Sequence, residues 1–276
     1  MLDDFYIEDH IKKALQEDIG FGDITTDYLT DECDEMECTL NSRVEGVFCG
    51  ARVFEKVFKI LSDKINVKFY YKDGDKISRG DKLASIKGPS KYILMGERTA
   101  LNYIQRMSGI ATETNKYQSA IGKYSAKIVD TRKTTPLFRA FEKYSVKVGG
   151  GSLHRFNLSD CAMIKDNHIK YAGSLTKAVE KLRENISHAH KIEVECDTVA
   201  QVKEALACRA DIIMLDNMTL DKMRECVKLI DHKAIVEASG NVTLSTVCDI
   251  ASTGVDIISS SAIVAKAPTL DLGLDM

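Results

Sequence analysis

Several features that mark common protein classes are missing from this sequence. Its formal net charge of −3 gives no general basic surface, so nucleic acid is not favoured as a partner. No apolar run approaches the roughly 20 residues needed to span a bilayer. The acidic start, Met1 to Asp4, lacks the basic and apolar regions of a signal peptide. We therefore expect a cytoplasmic protein that binds neither nucleic acid nor membrane.

A disulfide framework is also missing. None of the eight cysteines forms a C-x-x-C pair in this 276-residue chain. Such cysteines are typical of buried, free thiols in a reducing compartment. Only Cys196 lies near a predicted strand end, which is weak support for a catalytic cysteine.

The chain has no G-x-G-x-x-G motif after a predicted strand, which disfavours a dinucleotide site of the Rossmann type. After residue 125 it shows a regular alternation of short apolar segments and amphipathic segments. The predicted strands are 127–129, 162–164, 191–194, 211–215, 234–236 and 256–258. The predicted helices between them are 137–148, 174–185, 199–208, 220–230 and 244–252. This alternation predicts a parallel sheet, open or closed into a barrel.

Before residue 125 the pattern predicts a mixture of helices and strands. Helices are expected at 9–16 and 51–61, and strands at 36–42, 45–49 and 67–71. The Gly- and Asp-containing segment from Glu17 to Thr26 is predicted to be a loop. Residues 91–122 form a long helical region, which we expect to break near Gly109 because glycine is unfavourable inside a helix.

Charged and polar residues follow all six predicted strands. They are Asp130, Arg132 and Lys133; Lys165, Asp166 and Asn167; Glu195; Asp216 and Asn217; Glu237, Ser239, Gly240 and Asn241; and Ser259, Ser260 and Ser261. Ligands bind at the carboxyl ends of parallel strands, and unpaired buried charges are costly. The pattern therefore predicts one polar site at this edge of the sheet.

The cations favour an anionic, phosphate-bearing ligand. Arg132 can pair with a carboxylate through two hydrogen bonds, while Lys133 and Lys165 act as point charges on phosphate. Glu195 and Asp216 suit hydrated Mg²⁺ or ribose hydroxyls, but they could equally neutralise nearby cations. A class I aldolase would also place a lysine here to form a Schiff base, with less use for the other cations.

Two further interpretations concern backbone and helix positions. Ser239 and Gly240 would let backbone N–H groups approach a phosphate at the start of the next helix. Arg98 shares a helix face with Asn102 and Gln105, and spacing alone favours an exposed arginine on a solvated surface.

The sequence resembles the quinolinate phosphoribosyltransferase family over nearly its whole length. The resemblance is carried by ordered segments at 17–26, 97–102, 130–136 (DTRKTTP), 150–160 (GGSLHRFNLSD), 165–169 (KDNHI), 193–198 (EVECDT), 215–218 (LDNM) and 237–241 (EASGN). It implies that quinolinate and phosphoribosyl pyrophosphate are converted to nicotinate mononucleotide, pyrophosphate and CO₂ with Mg²⁺, in NAD biosynthesis.

The resemblance also implies a fold and an assembly. We expect an N-terminal α/β sandwich domain, residues 1–111, and an incomplete parallel α/β barrel of about six or seven strands, residues 112–266. Residues 267–276 could return to the first domain. The family works as a homodimer or homohexamer with a shared active site.

Residue roles carry over position by position. The family pattern assigns quinolinate binding to Arg132, His154, Arg155 and Lys165, with Arg98 reaching into the partner's site. It assigns phosphate to Lys133 and Lys165, ribose hydroxyls and metal to Glu195 and Asp216, and the 5′-phosphate side to Ser239, Gly240, Ser260 and Ser261. Catalytic roles are implied for Lys133, Lys165, Glu195 and Asp216.

One segment departs from the family pattern. Where the family reads Ile-Ser-Val-Gly-Ala-Leu-Thr-His-Ser, residues 258–266 read ISSSAIVAK, so Ser261 replaces a glycine and Ala265 a histidine. Two alternatives therefore stay open. One is a paralogue of the molybdenum-transport-associated type with another substrate. The other is a non-catalytic binding protein whose phosphate site has decayed.

Overall fold

Two compact units are seen in a computed structural model, which describes residues 2–31 and 33–276. The first unit comprises Met1–Asn115, Pro136–Gly150 and Ala267–Met276, and the second comprises Lys116–Thr135 and Gly151–Lys266. These units differ from a single division at residue 111, because residues 136–150 belong to the first. Phe138 and Phe141 pack there against His10, with ring centroids 5.8 and 4.8 Å away.

The first unit is built on an antiparallel sheet. In its described residues the unit contains six strands: β1 (Glu35–Ser42), β2 (Gly46–Val47), β3 (Asn66–Phe69), β4 (Lys76–Ile77), β5 (Lys82–Pro89) and β12 (Leu272–Asp275). The two-residue strands β2 and β4 form a separate ribbon, and the other four form the sheet. The sheet order is β12-β1-β5-β3, and β2 pairs with β4. Alternate residues of β1, such as Cys38 and Leu40, are buried, as expected for a strand with one face on a core. The C-terminal strand thus completes this sheet.

The helices of the first unit are α1 (Asp4–Ile19), α2 (Ile24–Leu29), α3 (Ala51–Leu61), α4 (Ser90–Ala120) and α5 (Arg139–Val148). The last residues of α4 are counted with the second unit. The predicted loop at 17–26 is correct only for residues 20–23, because α1 continues to Ile19 and α2 begins at Ile24. Asp23 caps it by accepting hydrogen bonds from the N–H groups of Thr25 (3.1 Å) and Thr26 (3.0 Å).

The predicted break of α4 at Gly109 is also wrong, since the helix runs through it. A Cβ at this position would collide with the carbonyl oxygen of Pro268. The neighbouring tail is tied to the same helix, where Leu270 N–H donates to Gln105 O at 3.0 Å. Gly109 therefore permits close backbone approach, and that packing outweighs its low helix propensity.

The second unit contains a six-stranded parallel sheet. Its strands are β6 (Lys127–Val129), β7 (Ala162–Ile164), β8 (Ile192–Cys196), β9 (Ile212–Asp216), β10 (Ile235–Ser239) and β11 (Ile257–Ser259). The order is β6-β11-β10-β9-β8-β7, and an isolated parallel bridge joins Val129 to Ser152. Among the described residues β6 and β7 do not pair, so the sheet is open. The predicted α/β class with an incomplete parallel barrel is confirmed, although no closed barrel forms.

The helices of this unit are α6 (Asp166–Ala172), α7 (Leu175–Asn185), α8 (Val199–Ala207), α9 (Leu220–Ile230), α10 (Val247–Ala251) and α11 (Ala262–Ala265). Helix α6 was not predicted, and α10 starts three residues later than expected. Ser239 ends β10 and Gly240 follows it, so both lie before the turns that lead to α10 and not at the start of that helix. Residues 240–246 connect β10 to α10, with Gly240 at φ +93° and Asn241 at φ +51°.

All eight cysteines are free thiols, but only four are buried: Cys38, Cys49, Cys196 and Cys226. Cys33 is exposed, contrary to the expectation of uniformly buried thiols. Burial raises the pKa of Cys196 to about 12, so its thiolate is not available for nucleophilic catalysis at neutral pH. In the part of the chain that the structure describes, no helix is both long and apolar enough to cross a membrane.

We predict that Gly109→Ala destabilises the protein by about 3 kcal/mol, the upper end of the range for overpacking, because backbone atoms must move to admit the methyl group. Thermal and urea denaturation would measure the effect. Gly122→Ala is the matched control, since its Cβ would meet only Ser119 O at 3.4 Å. Equal stability of both variants would contradict the close-approach explanation.

Candidate active site

The parallel sheet places the predicted site residues along one edge. Because the strands are parallel, their carboxyl ends lie at the same edge, and the strand order fixes the sequence of side chains along it. In order from β7 to β6 they are Lys165, Glu195, Asp216, Ser239, Ser260 and Ser261, and then Arg132 and Lys133. Arg98 lies on α4 in the first unit, where it is exposed.

Lys165 and Glu195 form an ion pair between Nζ and Oε2. Lys165 precedes α6 as its N-cap residue in extended conformation, and the Lys165 N–H donates to His168 Nδ1 at 3.0 Å. The Lys165 side chain is 44% exposed and that of Glu195 is 18% exposed. The expected neutralisation of Glu195 by a neighbouring cation is therefore present, and Lys165 is still open to a ligand.

Asp216 is held by a chain of two asparagines instead of a cation. Asn217 Nδ2 donates to Asp216 Oδ2 at 2.7 Å, and Asn241 Nδ2 donates to Asn217 Oδ1 at 3.0 Å. Both asparagines have φ +51°, a left-handed conformation that asparagine tolerates better than other non-glycine residues. A Cβ at Gly240 would collide with Asn217 Oδ1, so glycine is required for this chain to form.

The register of β8 and β9 puts Glu195 and Asp216 on the same face of the sheet. Glu195 pairs with Met214, two residues before Asp216, and side chains two apart on a strand share a face. Two carboxylates on neighbouring strands provide oxygen donors of the kind that Mg²⁺ prefers. The Lys165 pairing reduces their negative charge, so this pair suits a cation that is bound together with phosphates.

Arg132 and Lys133 lie on the loop that follows β6, and both are exposed. The Lys133 N–H donates to Thr131 Oγ1 at 3.0 Å, and the Thr134 N–H donates to Arg132 O at 3.0 Å. These local bonds give the loop a defined turn. Its first residue, Asp130, is fully buried, so the loop is anchored at the strand while its cations reach solvent.

A buried cluster lies among the strands and was not identified from the sequence. His154 Nε2 is 3.4 Å from both Glu193 Oε2 and Glu237 Oε1. Glu193 is on β8 and Glu237 is on β10, and their side chains are 1% and 2% exposed. The prediction that Glu237 follows its strand is therefore wrong, since β10 continues to Ser239. The alternation of Glu193, Val194 and Glu195 indicates that both glutamates lie on the same face of the strand. The sequence does not show whether that face is buried.

The hydrogen-bonding of His154 identifies its tautomer. The Arg155 N–H donates to Nδ1 at 2.7 Å, so in the neutral ring the proton is on Nε2. In a charged ring Nε2 also carries a proton. His154, Glu193 and Glu237 have a spacing that could hold a metal ion. However, a protonated Nε2 has no lone pair for a metal, so the cluster is better explained by a proton shared with the carboxylates.

The two carboxylates affect the titration of His154. Burial lowers its pKa, but the contacts with Glu193 and Glu237 and their charges outweigh burial and raise the pKa to about 10. The Arg155 N–H opposes this rise in pKa, because an imidazolium cannot accept a hydrogen bond at Nδ1, and the 2.7 Å contact therefore indicates a neutral ring. Burial raises the pKa of Glu193, and the Glu237 charge adds to this rise against the lowering effect of His154.

A cavity of about 1160 Å³ lies at the opposite, amino-terminal edge of the sheet. It includes none of the predicted site residues and is lined by cations such as Lys203, Arg209 and Lys233. Two of them, Arg209 and Lys233, lie just past the carboxyl-terminal ends of α8 and α9. Cations are favourable there because they complement the negative end of a helix dipole, so the helices alone explain them.

The fold and the edge residues together define an α/β protein whose row of cations and carboxylates at one sheet edge suits a small anionic molecule. Family models specify the class further. Residues 23–108 match the quinolinate phosphoribosyl transferase N-terminal domain, and residues 110–275 match the C-terminal domain. The chain therefore belongs to the quinolinate phosphoribosyl transferase family, which confirms the resemblance seen in the sequence.

Individual relatives match over nearly their full lengths. The chain is 42% identical over 273 residues to a probable nicotinate-nucleotide pyrophosphorylase [carboxylating] of Synechocystis sp., covering 98% of this chain and 92% of that protein. A Bacillus subtilis protein with the same name is 41% identical, covering 96% and 93%. The crystal structure of NadC from Streptococcus pyogenes has a TM-score of 0.97 and 39% identity, covering 100% and 98%.

Proposed function

We propose that this protein converts quinolinate and phosphoribosyl pyrophosphate to nicotinate mononucleotide, pyrophosphate and CO₂. The observation that carries the proposal is the full-length match to relatives named nicotinate-nucleotide pyrophosphorylase [carboxylating]. The row of cations and carboxylates at the sheet edge supports it, since both substrates are polyanions and one also contains ribose hydroxyls.

The cations fit two different anionic groups. Arg132 and Arg155 suit the pyridine carboxylates, because guanidinium groups match carboxylates with paired hydrogen bonds. Lys133 and Lys165 suit phosphate oxygens as compact charges. Glu195 and Asp216 accept hydrogen bonds from ribose hydroxyls. Asp216 is the better oriented of the two, since Asn217 occupies one of its oxygens and fixes the direction of the other.

These residues serve the reaction through position and charge. The pyridine nitrogen attacks the anomeric carbon of ribose while pyrophosphate leaves, and Lys133 and Lys165 offset the negative charge that develops on the leaving group. The attached ring then carries a positive charge that stabilises the carbanion left by CO₂, and a proton taken up at that carbon completes nicotinate mononucleotide. No protein nucleophile is needed, which agrees with the raised pKa of Cys196.

We also propose that Mg²⁺ takes part. Glu195 and Asp216 lie on one face of neighbouring strands and offer oxygen donors, so they would hold a hydrated ion through water and the substrate phosphates. When bound, Mg²⁺ would neutralise pyrophosphate charge. Because Lys165 already forms an ion pair with Glu195, Mg²⁺ binding should depend strongly on the presence of the substrate phosphates.

The departure at Ser261 and Ala265 bears on the phosphate end of the site. Ser261 has φ −74°, a conformation open to any residue, so the replacement of glycine causes no backbone strain. Ser260 Oγ accepts a hydrogen bond from the Ala262 N–H at 3.2 Å. The segment thus keeps an ordered backbone, which favours the phosphoribosyl substrate over the alternatives of a different substrate or a decayed site.

We propose that the protein acts in the cytoplasm as a homodimer or a homohexamer. Exposed apolar side chains of the first unit support an interface with a second copy. Phe21, Ile24, Tyr28 and Leu29 lie together in sequence around α2 and are 113%, 79%, 85% and 78% exposed. Such a group is unusual on the surface of a monomer. The exposed Arg98 would then reach the site of the partner.

The proposed reaction can be tested directly with purified protein, quinolinate, phosphoribosyl pyrophosphate and Mg²⁺, with nicotinate mononucleotide measured. We predict product with the native chain and a loss of at least 100-fold in kcat for Lys133→Ala, because the leaving pyrophosphate loses a positive charge. Lys147→Ala, at an exposed position on α5, is the control and should keep full activity. Absence of product and of quinolinate binding by the native chain would refute the proposal.

The shared site makes a separate prediction. Arg98→Ala and Lys133→Ala should each be inactive alone, yet a mixture of the two that has exchanged subunits should recover about a quarter of native activity. Recovery requires that one complete site forms from Arg98 of one copy and Lys133 of the other. Full activity of Arg98→Ala, or no recovery in dimers shown to be mixed, would contradict the sharing of Arg98.

A further inference from the structure

Glu193 and Glu237 have no role in the reaction described above, yet burying their carboxylates costs the second unit free energy of folding. Both are buried, on strands that flank β9. No hydrogen bond reaches the two oxygens of Glu193 or Oε1 of Glu237 within residues 2–31 and 33–276. A buried carboxylate without full hydrogen-bonding costs several kcal/mol. Apolar residues would fill the same space more favourably, so folding does not explain them.

Both glutamates converge on one residue, His154, which a third acid also holds. The backbone N–H of His154 donates to Asp130 Oδ1 at 2.9 Å. Asp130 follows β6, so the acids come from β6, β8 and β10, alternate strands in the order of the sheet. Alternate strands of barrel-type sheets contribute the side chains of one interior layer. His154 is thus fixed at its backbone by one strand and at its ring by two others.

His154 passes this constraint to Arg155. The Arg155 N–H donates to His154 Nδ1 at 2.7 Å, so the orientation of the imidazole sets the backbone where the Arg155 side chain begins. The guanidinium group is directed further by Nη1, which donates to Cys161 O at 2.9 Å. Arg155 is one of the cations assigned above to the pyridine carboxylates.

We propose that Glu193 and Glu237 are positioning residues for the dicarboxylate half of the site, acting through His154 on Arg155. Their carboxylates face the Nε2–H of His154 from two sides at 3.4 Å, and this electrostatic attraction restricts rotation of the ring. The ring in turn holds the residues that meet the ligand. The inference rests on the proposed function, because it names which substrate the two glutamates serve.

This arrangement implies that the two glutamates lower the free energy of unfolding while they raise the affinity for quinolinate. Because the Arg155 N–H contact indicates a neutral His154 ring, replacing either glutamate with glutamine keeps the shape and removes a buried charge that is not fully hydrogen-bonded, which relieves its desolvation cost. The glutamine amide can no longer hold the Nε2–H as strongly, so His154 and Arg155 become less well ordered. Affinity for quinolinate should fall although the fold is not weakened, a combination that a purely structural role would not give.

The test compares Glu193→Gln, Glu237→Gln and the double variant with the native chain. Glu225→Gln, an exposed glutamate of α9 in the same unit, is the matched control. Calorimetry would give the Kd for quinolinate and for phosphoribosyl pyrophosphate separately, steady-state kinetics the two KM values, and thermal denaturation the Tm.

We expect each single variant to raise the Kd and KM for quinolinate about tenfold, as for loss of a hydrogen bond to a charged group. The double variant should raise them further. The Kd for phosphoribosyl pyrophosphate should change less than twofold, and the Tm should be unchanged or higher. The control should match the native chain.

Two results would overturn the inference alone. One is a native Kd for quinolinate in both single variants and the double variant. The other is a lowered Tm with equal loss of both ligands, which would show that the glutamates stabilise the fold. If the native chain binds neither ligand, the proposed function fails and this inference fails with it.

Discussion

Parallel pairing of six strands is the constraint on which the candidate site depends. It brings residues from across the second unit, from Arg132 to Ser261, to one edge, in an order fixed by β6-β11-β10-β9-β8-β7. Neighbouring strands then combine opposite charges, as with Lys165 after β7 and Glu195 in β8. An antiparallel sheet would divide these residues between two edges. The charges alone therefore do not make the site; the direction of the strands does.

Polar groups are stabilised differently at the edge and in the interior. At the edge, Asp216 needs only the neutral chain of Asn217 and Asn241, because water solvates the rest of the carboxylate. In the interior, Glu193 and Glu237 have His154 as their common partner at 3.4 Å, longer than a good hydrogen bond. The interior is thus less favourable for stability, as expected where residues serve a ligand and not the core.

Local pattern predicted much of this structure, and long-range packing accounts for what it missed. The six apolar segments after residue 125 became strands within a few residues of their predicted bounds, and the edge residues followed from them. The low helix propensity of glycine predicts a break at Gly109. The helix needs glycine there because the carbonyl of Pro268 packs against it, and that residue is 159 positions away in the chain. The sequence does not predict that Glu193 and Glu237 lie close together. Only the sheet order shows that β8 and β10 flank β9 and direct these two side chains to the same buried side of the sheet.

The departure at Ser261 shows how backbone geometry limits what a sequence difference means. A glycine in a family pattern can indicate a left-handed conformation or a close approach to a ligand. At Ser261 the φ of −74° excludes the first reason, so only the second bears on function. At Gly240 the first reason applies, since φ is +93°, and there is also a steric one, because Asn217 leaves no room for a Cβ. A substitution at Gly240 would therefore disturb the chain that orients Asp216, whereas Ser261 can affect only how closely a phosphate approaches.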